Sequence, residues 1–97
     1  MEQIVFVRIL NSLREKVRTR QYIMTLHAEE EMNDDNLSIF DIESGILTGK
    51  IVERQKDKVT SELKYLVAGK ALTGDIITVV AKLSVTGKLV IITVWRE

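Results

Sequence analysis

The stretch "SIFDIESGILTGKIVERQ", Ser38 to Gln55, contains the point at which the chain changes its rhythm. Ile39, Ile42 and Ile46 fall at spacings of three and four, the period of a helix with one buried stripe. Ser38 precedes that stripe, and Asp41 follows three residues later as the acidic member of a capping box. Gly49 is expected to end the helix in a position suited to positive φ. From Lys50 the period becomes two, and "KIVERQ" predicts a strand.

Downstream the alternation continues. "SELKYLVAGKAL" sets Leu63, Tyr65 and Val67 against Lys64, Leu66 and Ala68. "DIITVVAKLS" places Ile77, Val79, Ala81 and Leu83 on one face. "KLVIITVWRE" sets Val90, Ile92 and Val94 opposite Leu89, Ile91, Thr93 and Trp95. Thr73-Gly74 and Thr86-Gly87 are the natural hairpin connections, so successive strands pair antiparallel. The last two strands are apolar on both faces. They are expected at the centre of the sheet, covered by helices on one side and by something else, such as a second subunit, on the other.

Upstream, Phe6, Leu10, Leu13 and Val17, with Ile9 beside them, predict a helix over residues 3–19. "QYIMT" reads as a short strand. Ala28 and Met32 share a face of a second helix that begins near His27 and is stopped by "NDDN". The sum is a single α+β domain over residues 1–97, with N-terminal helices packed on one face of an antiparallel sheet of about four strands.

Composition narrows the function. The chain has 97 residues and no cysteine, which excludes disulfides, thiolate metal sites and cysteine nucleophiles. No apolar run reaches the ~18 residues of a membrane span. The N-terminus "MEQIVFVRIL" makes a poor signal peptide, because an arginine interrupts its apolar run. The chain therefore reads as soluble and cytoplasmic, with no membrane partner. Net charge is zero, but it is unevenly spread. Residues 8–20 carry Arg8, Arg14, Lys16, Arg18 and Arg20 against Glu15 alone, whereas the charged residues of 29–43 are all acids. The basic strip could bind phosphate backbone; docking on an acidic neighbouring surface is the preferred reading.

"TLHAEEEMNDDNLSIFDIESGILTGKIVE", Thr25 to Glu53, resembles the opening motif of the domain-of-unknown-function family numbered 4258. "KYLVAG" and "IITVWR" resemble the later strands of that family, so the resemblance spans roughly residues 22 to 96. The family is placed near the RelE/ParE-like toxins of bacterial toxin–antitoxin systems, several of which cut mRNA with basic, tyrosine and histidine side chains on the sheet. The resemblance thus implies a RelE/ParE-like fold, RNA as substrate and an antitoxin protein as partner.

The residues themselves carry parts of such chemistry. Cleavage of RNA without a metal needs one group to take a proton from the 2′-hydroxyl and another to supply one to the leaving oxygen. An unperturbed imidazole titrates near pH ~6.5 and can do either. His27, the only histidine, is the candidate acid or base. It can equally cap or orient the start of its helix. Glu30 and Glu31 follow at i+3 and i+4, too small a ligand set to predict a metal. Lys82 and Arg96 are candidates to hold phosphate, and Tyr65 is a candidate auxiliary donor. Arg54 and Lys64 are candidates for binding RNA. Alternation, however, puts Tyr65 and Lys64 on opposite faces. Gly-rich phosphate loops and Ser/His/Asp arrangements are absent from the sequence, and no cofactor is implied.

Two functions are therefore expected to compete. One is a toxin-type, metal-independent endoribonuclease. The other is a non-catalytic protein-binding or assembly module on the same fold, expected to form a dimer, such as a homodimer, or a heterocomplex. The resemblance, His27 and the bases of the sheet lead to the first; the neutral charge, the doubly apolar last strands and the oppositely charged segments motivate the second as the alternative.

Overall fold

The computed structural model describes the backbone of residues 2–97 and the side chains of residues 5–97. The elements run α1 (Glu2–Arg18), β1 (Tyr22–Met24), α2 (Leu26–Asp34), α3 (Ile39–Thr48), β2 (Lys50–Lys56), β3 (Leu63–Lys70), β4 (Ile76–Leu83) and β5 (Leu89–Arg96). The strands form one five-stranded sheet in the order β1-β5-β4-β3-β2. The meander from β2 to β5 is antiparallel, as the alternation and turns predict. The expected four strands become five because "YIM" joins the sheet, pairing in parallel with Leu89–Ile91 of β5. A three-residue strand has too little sequence to show which neighbour it will choose.

Each helix is specified locally. In α1, Leu10, Leu13 and Val17 are buried, and Phe6 and Ile9 pack against them. The helix closes when Arg20 enters the left-handed region, so that the N–H of Gln21 reaches the carbonyl of Lys16. In α2, the Thr25 hydroxyl accepts from the Ala28 N–H at the start. Asn36, again left-handed, lets the Leu37 N–H reach the Met32 carbonyl at the end. In α3 both halves of the Ser38–Asp41 capping box are present.

Gly49 departs from expectation. Its φ is −88°, an ordinary extended value. The glycine is needed for space: a Cβ there would lie 2.6 Å from the Ala68 carbonyl oxygen. At Gly69 the crowding is worse, with a Cβ 1.9 Å from the carbonyl oxygen of Gly45. These glycines let α3 lie almost directly on the backbone of β3. The glycines with positive φ are instead Gly74 (92°) and Gly87 (84°), in the β3–β4 and β4–β5 turns. In each, a four-residue turn is closed by the glycine N–H, from Ala71 to Gly74 and from Ser84 to Gly87.

All three helices contribute to one core on one face of the sheet, with Leu13, Ala28, Ile42 and Ile46 meeting Val67, Val79, Ala81 and Ile91. The alternation in β5 holds only as far as Ile91. The register shifts between Val80 and Ala81, which pair with Thr93 and Ile91, so Ile92 is an extra residue. Val94 therefore joins Leu89 and Ile91 in the core, and Thr93 and Trp95 turn to the other side, against the strict alternation read from the sequence. No helix among the described residues is long and apolar enough to cross a membrane.

Candidate functional site

The face of the sheet away from the helices is built by the cross-strand pairs. One row is Trp95, Thr78 and Ala68; the next is Thr93, Val80, Leu66 and Glu53. In the third, Lys82 pairs with Val90 and Lys64 with Gln55. Because Tyr65 lies opposite Ala81, the antiparallel register also sets Lys64 opposite Lys82. Two cations in directly opposed positions repel. The chain supplies their counterions: Lys82 Nζ bonds Glu62, and Lys64 Nζ lies 3.9 Å from Asp57. Asp57 also accepts from the N–H groups of Thr60 and Val59, and these bonds, with that of Thr60 first, hold its carboxyl below the ordinary value.

His27 lies elsewhere. It is the second residue of α2, with its side chain 66% exposed and its Nε2 3.2 Å from Glu31 Oε1. That same carboxylate oxygen accepts from the Thr93 hydroxyl at 2.9 Å and from the Val94 N–H at 3.3 Å. The local reason is the short partner strand. β1 covers β5 only as far as Ile91, and beyond it the edge of β5 must find other partners. Thr25 donates its hydroxyl to the Ile92 carbonyl, Glu31 takes the Val94 N–H, and Asp35 takes the Arg96 N–H at 3.0 Å. The acids that look like a solvated cluster in the sequence thus include two that seal a strand edge. Glu29, Glu30 and Asp34 remain exposed.

Arg96 ends β5, its guanidinium bonded to Asp75 and to the Asp35 carbonyl. It pairs with Ile77, five residues along β4 from Lys82, a separation of about 17 Å at the rise of a strand. Along α2, Arg96 and His27 engage Asp35 and Glu31, about 6 Å apart at the rise of a helix. Tyr65 is 6% exposed and faces the helices, in the core. Arg54, its cross-strand partner, is exposed on β2. The six candidates therefore fall into a lysine pair on the uncovered face, His27 and Arg96 along α2, and Tyr65 and Arg54 on the helix side. Among the described residues no three His, Asp or Glu side chains are grouped to hold a metal.

Two polar links escaped sequence reasoning. The Tyr22 hydroxyl donates to Glu43 and its pKa is pushed up to about 12, first by burial and then by the carboxylate. Arg14 donates to the carbonyls of Ile46 and Gly49 at the C-terminal end of α3. The basic strip of α1 is thus partly consumed within its own fold. Neither link has a local signal, because the partners lie 21 and 32 to 35 residues apart.

Residues 24–96 match the family described as Domain of unknown function (DUF4258). The chain belongs to that family. All six candidate residues, the uncovered face and the sealed edge of β5 lie inside the DUF4258 match, whereas α1 lies outside it. No curated protein and no solved structure matches the chain.

Proposed function

We propose that this DUF4258 domain is a protein-binding module whose docking surface is the uncovered face of the sheet, occupied by a second copy of the chain. The observation that carries the proposal is the pairing on that face. Its aliphatic centre, the half-buried Leu66 and Trp95 around the buried Val80, has no described helix over it, and the opposed lysine pair Lys64/Lys82 is already neutralised by Asp57 and Glu62. An opposed lysine pair without counterions would repel its own copy; neutralised, it meets itself without that cost, and the charges left on the face, Lys50 and Glu53, are of opposite sign. The same neutrality offers little to a phosphate backbone, whose binding depends on free cations. The test is sedimentation of the wild type and of Leu66→Lys, with emission of the single tryptophan followed over the same concentrations. The wild type is expected to dimerise with a Kd near ~10 µM, with blue-shifted emission, and the variant to stay monomeric. A wild type that remains monomeric at ~100 µM overturns the reading.

A second reading is favoured by His27, an exposed imidazole held by a carboxylate. In it the domain is a cytoplasmic, RelE/ParE-like, toxin-type endoribonuclease that cuts RNA without a metal and is restrained by an antitoxin protein. His27 is the acid or base, with Glu31 fixing the ring. Arg96, engaged with the same helix, holds phosphate; Lys82 and Lys64 on the uncovered face and Arg54 on β2 bind RNA farther along, and Tyr65, enclosed in the core, takes no part in the reaction. Expression of the wild type in a bacterium is expected to slow growth and cleave mRNA, and His27→Ala is expected to relieve both. Equal growth and intact mRNA in the two cultures overturn it.

A further inference from the structure

The edge of the sheet formed by β2 differs from the uncovered face in one respect: among the described residues its outward backbone groups lack hydrogen-bond partners. β2 is the last strand, paired only with β3. The Asp57 N–H bonds the Glu62 carbonyl, so the pair 57/62 is of the hydrogen-bonded kind. With the regular register from Glu53 to Lys56, alternation then turns the backbone groups of Gln55 and Glu53 inward. The backbone N–H and C=O groups of Arg54 and Lys56 point outward from the sheet. Their side chains are exposed and join no salt bridge among the described residues. Toward the other end of the strand, a bulge at Val52 opens onto a cleft of about 460 Å³ lined by Phe6, Val7 and Leu10 of α1 and by Lys50, Ile51 and Val52. Val7 and Val52 are more than half exposed.

We propose that this edge takes an extended, acidic segment of a partner protein as a sixth strand. The segment runs antiparallel to β2 with the pattern acid-x-acid-x-aliphatic. Its two acids stand opposite Lys56 and Arg54 and share their outward hydrogen bonds, and the aliphatic residue enters the α1–β2 cleft. Side chains two apart share a face of a strand, so the three recognised positions all point to the side where α1 lies. A second copy of β2 does not satisfy the edge. Only Arg54 and Lys56 offer outward groups on the regular stretch, so every antiparallel self-pairing there sets one of these cations opposite another. The proposal is independent of the self-association assigned to the uncovered face.

The probes are the synthetic peptide acetyl-Glu-Thr-Glu-Thr-Val-Thr-amide and its counterpart with Lys in place of both Glu, titrated into the ¹⁵N-labelled full chain. The acidic peptide is expected to shift the amide resonances of Arg54 and Lys56 and to slow their hydrogen exchange. The basic peptide is expected to bind about tenfold more weakly or not at all. The double variant Arg54→Glu/Lys56→Glu alters two exposed side chains and is expected to reverse the preference. Absence of binding by the acidic peptide, equal binding of both peptides, or shifts confined to Leu66 and Val80 overturns the proposal. The last result would still leave the uncovered face as a binding surface.

Discussion

At one edge of the sheet, β5 runs on past the end of β1 and side chains from α2 and its flanks take over its free backbone groups; at the other, β2 ends the sheet with no strand beyond it among the described residues. Both edges begin with the same liability, a row of backbone donors and acceptors without partners. On the β5 side, Thr25, Glu31 and Asp35 supply the missing partners, and the edge becomes part of the fold. On the β2 side the chain places Arg54 and Lys56, which keep the edge wet and repel a second copy while remaining open to an acidic strand. The contrast separates two uses of charge. A carboxylate bonded to a backbone N–H stabilises the domain it belongs to. A cation without a counterion sets which partner the domain admits.

The strongest way to break this contrast is Glu31→Ala. It leaves the Val94 N–H and the Thr93 hydroxyl without their acceptor and His27 without its carboxylate. The expected loss is about 2 kcal/mol in urea denaturation, whereas Glu53→Ala on the β2 side is expected to stay within ~0.5 kcal/mol. A loss at Glu31→Ala as small as that expected for Glu53→Ala would mean that the carboxylate seal adds nothing.

Asp41 extends the same principle to a helix start and a turn. Its carboxylate accepts from the Ser38 N–H and, 31 residues along the chain, from the Leu72 N–H in the β3–β4 turn. Asp41→Asn is expected to cost about 1 kcal/mol near neutral pH. The Ser38 bond first, against an opposing contribution from burial, holds the Asp41 carboxyl below its ordinary 3.8. A carboxyl lowered in the fold stabilises it above the unfolded-state pKa, and that contribution fades as pH falls through the folded value. Acid unfolding of the wild type should therefore steepen below about pH 4. Asp41→Asn should flatten the profile only in part, because Asp57 is lowered in the same direction.

Much of the fold was legible in the sequence, and the rest was hidden for identifiable reasons. The Ser38 box, the buried stripe of α3, the change of period after Gly49 and the two Thr-Gly hairpins are signals within a few residues, and they gave the helices, the meander and its pairing. Gly49 was misread because a glycine needed for close approach has the same letter as one needed for positive φ. The strict alternation in β5 failed at Ile92 because a bulge leaves no mark among apolar residues. Among the site candidates, the opposite orientations of Tyr65 and Lys64 followed from alternation, but the ties of Lys82 to Glu62 and of Arg96 to Asp75 join separate turns and strands. The seal of β5 was invisible for the same reason: Glu31 and Val94 lie 63 residues apart.

Tyr22 sharpens the comparison at high pH. It sits on β1, the strand whose shortness creates the need for the seal, and its hydroxyl ties that strand to Glu43 of α3. A tyrosine raised from 10.0 to about 12 by burial and a carboxylate is held neutral in the fold. Its contribution is fully present below pH 10 and is lost as pH rises through about 12. Alkaline unfolding of the wild type should therefore steepen across that window, and Tyr22→Phe should remove the steepening while costing less at pH 7 than Glu31→Ala. A profile unchanged by the substitution would mean that β1 is held by its pairing with β5 alone.

The smallest effect is expected where the sequence places its unpaired cations. Arg54 and Lys56 touch water and each other's field, and no described side chain depends on them for a counterion. Arg54→Glu/Lys56→Glu should therefore shift the urea midpoint by less than the equivalent of ~0.5 kcal/mol in either direction. Reversing two charges beside Glu53 trades one weak attraction for one weak repulsion, both screened within about a Debye length of 8 Å at physiological salt. A loss as large as that of Glu31→Ala would show that β2 is already braced by its cations, and the two edges would then differ only in which charge seals them. A midpoint that stays put, beside a Glu31→Ala that falls, would confine the edge charges of β2 to the choice of partner.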